Sequence, residues 1–135
     1  MTIKINSYQD LAVWQRAMDL VIDCYRIVKS FPKTEQYGLT NQLQRAVVSI
    51  PANIAEGHGR KYTKEFLRHL SIAKGSLAEL ETHIQIAQRL EYIKKEELNR
   101  ILSKTDEISR MLTGLHKSLA LKAKPTHPSI LAPRP

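Results

Sequence analysis

Hydrophobic residues recur through most of this chain at intervals of three and four, which is the spacing of one face of an α-helix. The spacing predicts four helices, over about residues 8–30, 39–60, 64–90 and 95–121. Long helices joined by short connections favour an all-α fold, an antiparallel up-down four-helix bundle. We expect an N-terminal arm over 1–7, the bundle over 8–121, and a flexible, proline-rich basic tail over 122–135.

The first predicted helix carries two hydrophobic lines instead of one. One line is Leu11, Trp14, Met18, Val21, Tyr25 and Val28, and the other is Val13, Ala17, Leu20, Cys24, Ile27 and Phe31. A helix in an isolated bundle needs one broad apolar face, so the extra line indicates either contact with two neighbours in one bundle or a subunit interface. We favour the subunit interface. The residues expected there are Val13, Leu20 and Ile27, with Ile72 and Ile86 from the third helix.

The second predicted helix contains a proline and ends in glycines. Pro51 lacks an N–H group and crowds the preceding turn, so we expect a kink there, at a cost of about 3 kcal/mol in an isolated helix. Asn53 and Glu56 are expected to hydrogen-bond backbone groups that the proline leaves free; a binding role is the alternative. Gly57 and Gly59 are expected to take positive φ angles and stop the helix.

The segment around this proline, SIPANIAEG over Ser49–Gly57, resembles the signature of the 23S rRNA-intervening-sequence protein family. Within it, Pro51, Asn53, Glu56 and Gly57 match the family pattern position by position. Three further stretches fit the same family, namely Tyr8–Leu11 followed by Val13-Trp14, Phe31–Lys33 with Tyr37–Leu39, and Gly75–Thr82. The resemblance covers roughly residues 7–119.

This resemblance implies a helical bundle that assembles into a homopentamer and has no established enzymatic reaction. Similar proteins are accessory subunits of diversity-generating retroelements, where they bind nucleic acid and a reverse transcriptase. The resemblance therefore implies self-association, RNA or DNA, and a reverse transcriptase as partners.

The charge of the chain agrees with a polyanionic partner. The formal net charge is +8, from 21 basic and 13 acidic residues, and no acidic residue follows Glu107. Such a balance favours RNA or DNA, because cationic side chains release counterions from phosphates; a solvated lysine-rich surface is the alternative. Tyr62 and His58 lie among the candidate residues and are expected to stack on bases. The candidates form two clusters, Arg60, Lys61, Lys64 and Arg68 at the start of the third helix, and Arg110, Lys117, Lys122 and Lys124 at the end of the fourth.

Residue types that perform catalysis are not arranged for it in this sequence. The histidines form no pair at metal-binding spacing on one helix face, and we expect neither a metal nor another cofactor. Cys24 lies on an apolar line, which favours a packed thiol over a nucleophile. Glu79 and His83 stand one turn apart and are expected to pair. We expect no enzymatic activity, and a cytoplasmic location because no leader or membrane-spanning stretch is present.

Two hypotheses about function follow. The first is a basic oligomeric protein that binds nucleic acid, as an accessory to a reverse transcriptase or in association with ribosomal RNA. The alternative is a protein-interaction scaffold whose positive charge serves only solubility. Helical periodicity alone does not separate the two.

Overall fold

Four α-helices form the body of the protein in a computed structural model that describes residues 7–123. They are α1 (Ala12–Ile27), α2 (Leu39–His58), α3 (Thr63–Arg89) and α4 (Lys95–Ala123). Single 3-10 turns cover Tyr8–Asp10, Val28–Ser30 and Lys33–Glu35. Each helix packs on the next, and α4 closes the ring of contacts on α1. The predicted all-α four-helix bundle is confirmed, and the described residues include no β-strand.

The helix ends differ from the predicted ones by a few residues. Ser7 caps the first 3-10 turn, because its hydroxyl accepts a hydrogen bond of 3.1 Å from the amide of Gln9. Leu11 is extended and separates this turn from α1. At the other end of the chain, α4 continues through Ala123, two residues beyond the predicted boundary. The rest of the predicted tail, from 124 onward, and most of the predicted arm, 1–6, lie outside the described residues.

The structure reverses the predicted roles of the two hydrophobic lines in α1. The line predicted to form a subunit interface is in the core of the bundle, and the line predicted to form the core is partly exposed. Val13, Leu20 and Ile27 are at most 5% exposed and form part of the core of the single chain, so they are not available to a second subunit. The other line faces outward in part, with Met18 38% and Tyr25 42% exposed. The prediction of an oligomer interface at the first three residues was therefore wrong. Ile72 and Ile86 of α3 are exposed, as an interface requires.

Charge pairs join α1 to α4 beside the buried line of α1. Asp23 pairs with Arg100, at 3.6 Å, and with Lys104. Arg16 of α1 and Glu107 of α4 form a looser pair at 3.9 Å. These contacts hold the flank of α1 that carries Asp23 against α4, which leaves the Met18 and Tyr25 flank toward solvent.

Helix α2 runs without interruption from Leu39 to His58, and Pro51 is buried inside it. The predicted positive φ angles of the glycines were wrong, since no glycine in the described part of the chain has one, although α2 does end just before Gly59. Gly57 lies within α2, and Gly59 follows its last residue with a φ of −79°. The positive φ of a non-glycine residue falls instead at Glu91, 64°, in the connection between α3 and α4.

One expected polar pair is missing. His83 is buried, and its Nδ1 atom has no hydrogen-bond partner, so Glu79 does not supply one.

Across the described residues, no helix has both the length and the hydrophobicity needed to cross a membrane.

Candidate nucleic-acid interface

Helices α2 and α3 approach each other closely at Gly57. A methyl group at this position would lie 2.7 Å from the Cβ of His69 and 2.9 Å from a ring carbon of Phe66. Both distances are shorter than van der Waals contact. Gly57 is therefore required by the separation of the two helices, not by its backbone angles.

A chain of hydrogen bonds crosses from α2 to α3 beside this contact. The amide nitrogen of Asn53 donates to the carbonyl and to the hydroxyl of Ser49, both at 2.9 Å. That hydroxyl lies 2.8 Å from the hydroxyl of Ser76. The Asn53 amide oxygen faces Nδ1 of His69 at 3.0 Å, and since oxygen can only accept, Nδ1 is the donor. The carbonyl that Pro51 leaves without an N–H partner is that of Val47, four residues earlier, so Asn53 does not have the predicted role. It bonds the Ser49 carbonyl and reaches His69 of α3 instead.

Glu56 has a different role from the predicted one. Its carboxylate lies 2.9 Å from a guanidinium nitrogen of Arg60 and 3.3 Å from Nε2 of His69, and it bonds side chains rather than backbone groups freed by Pro51. The hydrogen bond from Arg60 lowers the pKa of Glu56, and the proximity of His69 and Arg68 acts in the same direction. The segment Ser49–Gly57 therefore contacts α3 in the interior through Asn53 and Gly57, and it contacts the basic surface through Glu56.

The first predicted cluster of basic residues lies at the surface next to this network. Arg60, Lys61, Lys64 and Arg68 are all exposed. Tyr62 is exposed as well, and the Lys61 ammonium lies 5.5 Å from the centre of its ring. His58 is only partly exposed.

The His58 ring lies nearly perpendicular to that of Phe66, with 5.8 Å between the ring centres, and His58 is less exposed than Tyr62. Tyr62 remains the candidate for stacking on a base.

The second predicted cluster is split. Lys117 and Lys122 are exposed on α4, whereas Arg110 pairs with Asp106, one turn before it. Arg110 also lies about 10 Å along the helix from Lys117, at 1.5 Å per residue. Lys124 falls outside the described residues.

The fold brings the remaining basic residues of both clusters to one end of the bundle. Helix α3 begins and α4 ends at this end, and a groove between them is lined by Leu70 from the early turns of α3 and by Lys117 from the late turns of α4. Residues 57–78 and 108–123 together contain eight basic side chains and one carboxylate, Glu65. Glu56, just before the first of these segments, adds a second carboxylate, which pairs with Arg60. Basic side chains therefore outnumber acidic ones at this end of the bundle.

Sequence reasoning did not identify two residues of this region, Lys74 and His69. Lys74 lies on the exposed face of α3 beyond Arg68 and lines the same groove as Lys117. Lys74 is not at an i, i+3 or i, i+4 position from either Lys64 or Arg68, so helical spacing gave no signal for it. His69 is 16 residues from Asn53 in the chain, so no local spacing indicates their contact.

A family model described as 23S rRNA-intervening sequence protein matches residues 9–114. The chain belongs to this family. The match includes Arg60, Lys61, Lys64 and Arg68 and ends before Lys117, so the family region contains the first basic cluster but only part of the second.

A crystal structure of a protein of unknown function from the S23 ribosomal protein family of Bacteroides thetaiotaomicron has the same fold. The two chains are 24% identical with a TM-score of 0.73, over 78% of this chain and 99% of the other. At this identity the likeness concerns the fold alone. No curated protein matches the chain.

Cys24 is the one cysteine of the chain, and its surroundings make the thiol unreactive. Cys24 is fully buried, and burial raises the pKa of its thiol to about 12, with a contribution from the Asp23 carboxylate. A thiol with this pKa is almost entirely protonated at neutral pH, as the packed-thiol interpretation requires. In the described part of the chain, no three His, Cys, Asp or Glu side chains are grouped to hold a metal ion.

Proposed function

We propose that this protein binds RNA or DNA through the basic end of its bundle, as a non-enzymatic and cytoplasmic homo-oligomer. The observation that supports the proposal is that exposed basic side chains from the start of α3 and the end of α4 lie at the same end of the bundle. They are Arg60, Lys61, Lys64, Arg68, Lys117 and Lys122. Contacts between such a surface and phosphates give the protein affinity for nucleic acid, but they provide little preference for base sequence.

The proposed assembly is a ring, most simply the homopentamer that the sequence resemblance implies. Two separate apolar stripes support it. Met18, Ile22 and Tyr25 are exposed on α1, and Ile72, Ile86 and Leu90 are exposed on α3. A ring uses a heterologous contact, in which one patch of each subunit meets a different patch of the next. The ring would repeat the basic surface around its axis and raise the affinity for a long polyanion by multivalency.

Two kinds of partner follow from this proposal. The family description names an intervening sequence of 23S rRNA, so structured ribosomal RNA is one ligand to test. A reverse transcriptase of a diversity-generating retroelement is the protein partner that the sequence resemblance implies, and in that case the nucleic acid is the template RNA or its DNA copy.

The test measures binding of a fluorescent single-stranded RNA 20-mer, and of its DNA equivalent, between 50 and 300 mM salt by anisotropy (roughly the range over which phosphate contacts are screened). The variant changes Arg60, Lys61, Lys64 and Arg68 to alanine. The matched control changes Lys29, Lys33, Lys94 and Lys95, which are exposed at the opposite end of the bundle.

We expect the first variant to lower the slope of log K against log salt by about three, because each lost phosphate contact in a single strand contributes about 0.7. The control variant should keep most of the slope, although both lose four charges. If the slope falls equally in the two variants, net charge alone attracts the polyanion. No binding at all at 50 mM salt would overturn the proposal and favour the protein-interaction scaffold.

A further inference from the structure

A groove of about 380 Å³ lies between α3 and α4. Its floor is aliphatic, since Leu70 and Leu112 are almost completely buried beneath it. The residues that line it are Leu70, Ser71 and Lys74 from α3, and Leu112, Thr113, His116, Lys117 and Ala120 from α4.

The rim of this groove is cationic. Lys74 borders it on α3 and Lys117 on α4, and no carboxylate is among the side chains that line it. His116 is the one aromatic ring among the side chains that line it, and this ring is only partly exposed, so the groove offers a nucleobase little surface for stacking. An apolar floor between two lysines therefore suits a ligand that is aliphatic in the middle and acidic at its edges.

We propose that this groove binds an acidic amphipathic α-helix of a partner protein. Such helices place apolar anchors at i, i+3 or i+4 and i+7 into a hydrophobic groove, and carboxylates on the flanks would reach Lys74 and Lys117. From Leu112 to Ala120 the groove extends over about 12 Å, which accommodates two turns of a bound helix. The chain's own segment 124–135 is a poor occupant, because it carries Lys124 and Arg134 and no acidic side chain.

This inference goes beyond the proposed function, since it requires neither nucleic acid nor a ring. It also differs from the scaffold alternative, in which the positive charge serves only solubility. Here Lys74 and Lys117 select the partner by charge, and the aliphatic floor supplies the affinity.

The experiment uses a designed 18-residue helical peptide labelled with fluorescein, with leucine anchors at i, i+4 and i+7 flanked by glutamates. Two further peptides are compared with it: one with lysine in place of each glutamate, and one of identical composition in scrambled order. Binding to the full chain is measured by anisotropy, and the helical content of each protein variant by circular dichroism.

Two changes to the protein test the groove itself. Thr113→Trp fills it from an exposed position, and the double change Lys74→Glu with Lys117→Glu reverses the charge of its rim. Lys94→Glu with Lys95→Glu is the matched control, since it reverses two charges at the other end of the bundle. We expect each groove variant to weaken binding of the acidic peptide at least tenfold, and the control to change it less than twofold.

The peptides provide an independent check that does not depend on a variant being folded. The lysine peptide should not bind, and the scrambled peptide should bind at least tenfold more weakly. Equal binding of the scrambled peptide would overturn the proposal, as would unchanged affinity in a folded Thr113→Trp protein. Loss of RNA binding, but not of peptide binding, in the groove variants would assign the groove to nucleic acid instead. Failure of the Arg60, Lys61, Lys64 and Arg68 variant to change RNA binding would concern the proposed function alone.

Discussion

The sharpest consequence of the structure concerns Gly57, where a single methyl group should force two helices apart. In an ordinary helix interior, changing glycine to alanine stabilises by roughly 1 kcal/mol. Here the new methyl would lie 2.7 Å from the Cβ of His69, which is fixed to the backbone of α3. Overpacking of this kind costs about 1–3 kcal/mol.

His69 also cannot retreat freely, because its ring nitrogens face Asn53 at 3.0 Å and Glu56 at 3.3 Å. Loss of the hydrogen bond between His69 and Asn53 would add about 1 kcal/mol. We therefore expect Gly57→Ala to destabilise the protein by about 1–3 kcal/mol, which lowers Tm by roughly 4–12 °C in a domain of this size.

The matched controls are Gly75→Ala and Gly114→Ala, since no atom lies within 4 Å of a Cβ built at either position. Both should raise stability by up to about 1 kcal/mol. The assay is urea unfolding followed by circular dichroism at one fixed protein concentration, because self-association makes apparent stability depend on concentration. If Gly57→Ala proves as stable as the two controls, the close approach of α2 and α3 has no energetic consequence and the reasoning fails.

Two further predictions concern the surface. Glu56→Gln should destabilise the protein at pH 7 but not at pH 3. The hydrogen bond from Arg60 lowers the pKa of Glu56 in the folded protein below its ordinary value of 4.5. The ionised carboxylate therefore stabilises the folded state above pH 4.5, and this stabilisation is lost as the pH falls through the pKa of the folded protein. Urea unfolding at both pH values measures this, and the same difference at pH 3 would contradict it. Ile22→Glu and Ile86→Glu should each reduce the mass measured by light scattering, because both exposed side chains lie on the proposed ring contacts. Tyr37→Glu, at an exposed position away from both stripes, should leave the mass unchanged; reduction by all three would speak against a specific ring.

Periodicity in the sequence was enough to predict the four helices, because each one buries a continuous apolar line. It was not enough to decide which line of the first helix faces inward. Both lines have heptad spacing, and they differ in the size of their members. The buried line includes Ala17 and Cys24, which let a neighbouring helix approach, whereas the outer line includes Trp14 and Tyr25. Small residues within a heptad were the signal that should have reversed the assignment.

The candidate site was predictable only as far as local spacing reaches. Arg60, Lys61, Lys64 and Arg68 lie within nine residues of one another, and the structure places them on one surface. The contact of Asn53 with His69 spans 16 residues and two helices, and it depends on how the helices pack. The groove was not predictable from local spacing either, because Lys74 and Lys117 line it from two helices that only the fold brings together.

The segment with the family pattern, Ser49–Gly57, contacts both the interior of the bundle and the proposed nucleic-acid surface. Gly57 sets the distance between α2 and α3. His69, hydrogen-bonded to Asn53, lies 3.3 Å from the carboxylate of Glu56, and that carboxylate accepts a hydrogen bond from Arg60. A change in the interior should therefore move a charge at the surface. Gly57→Ala is then expected to weaken RNA binding as well as stability, whereas Gly75→Ala, on the same helix pair but away from any contact, should alter neither for the worse.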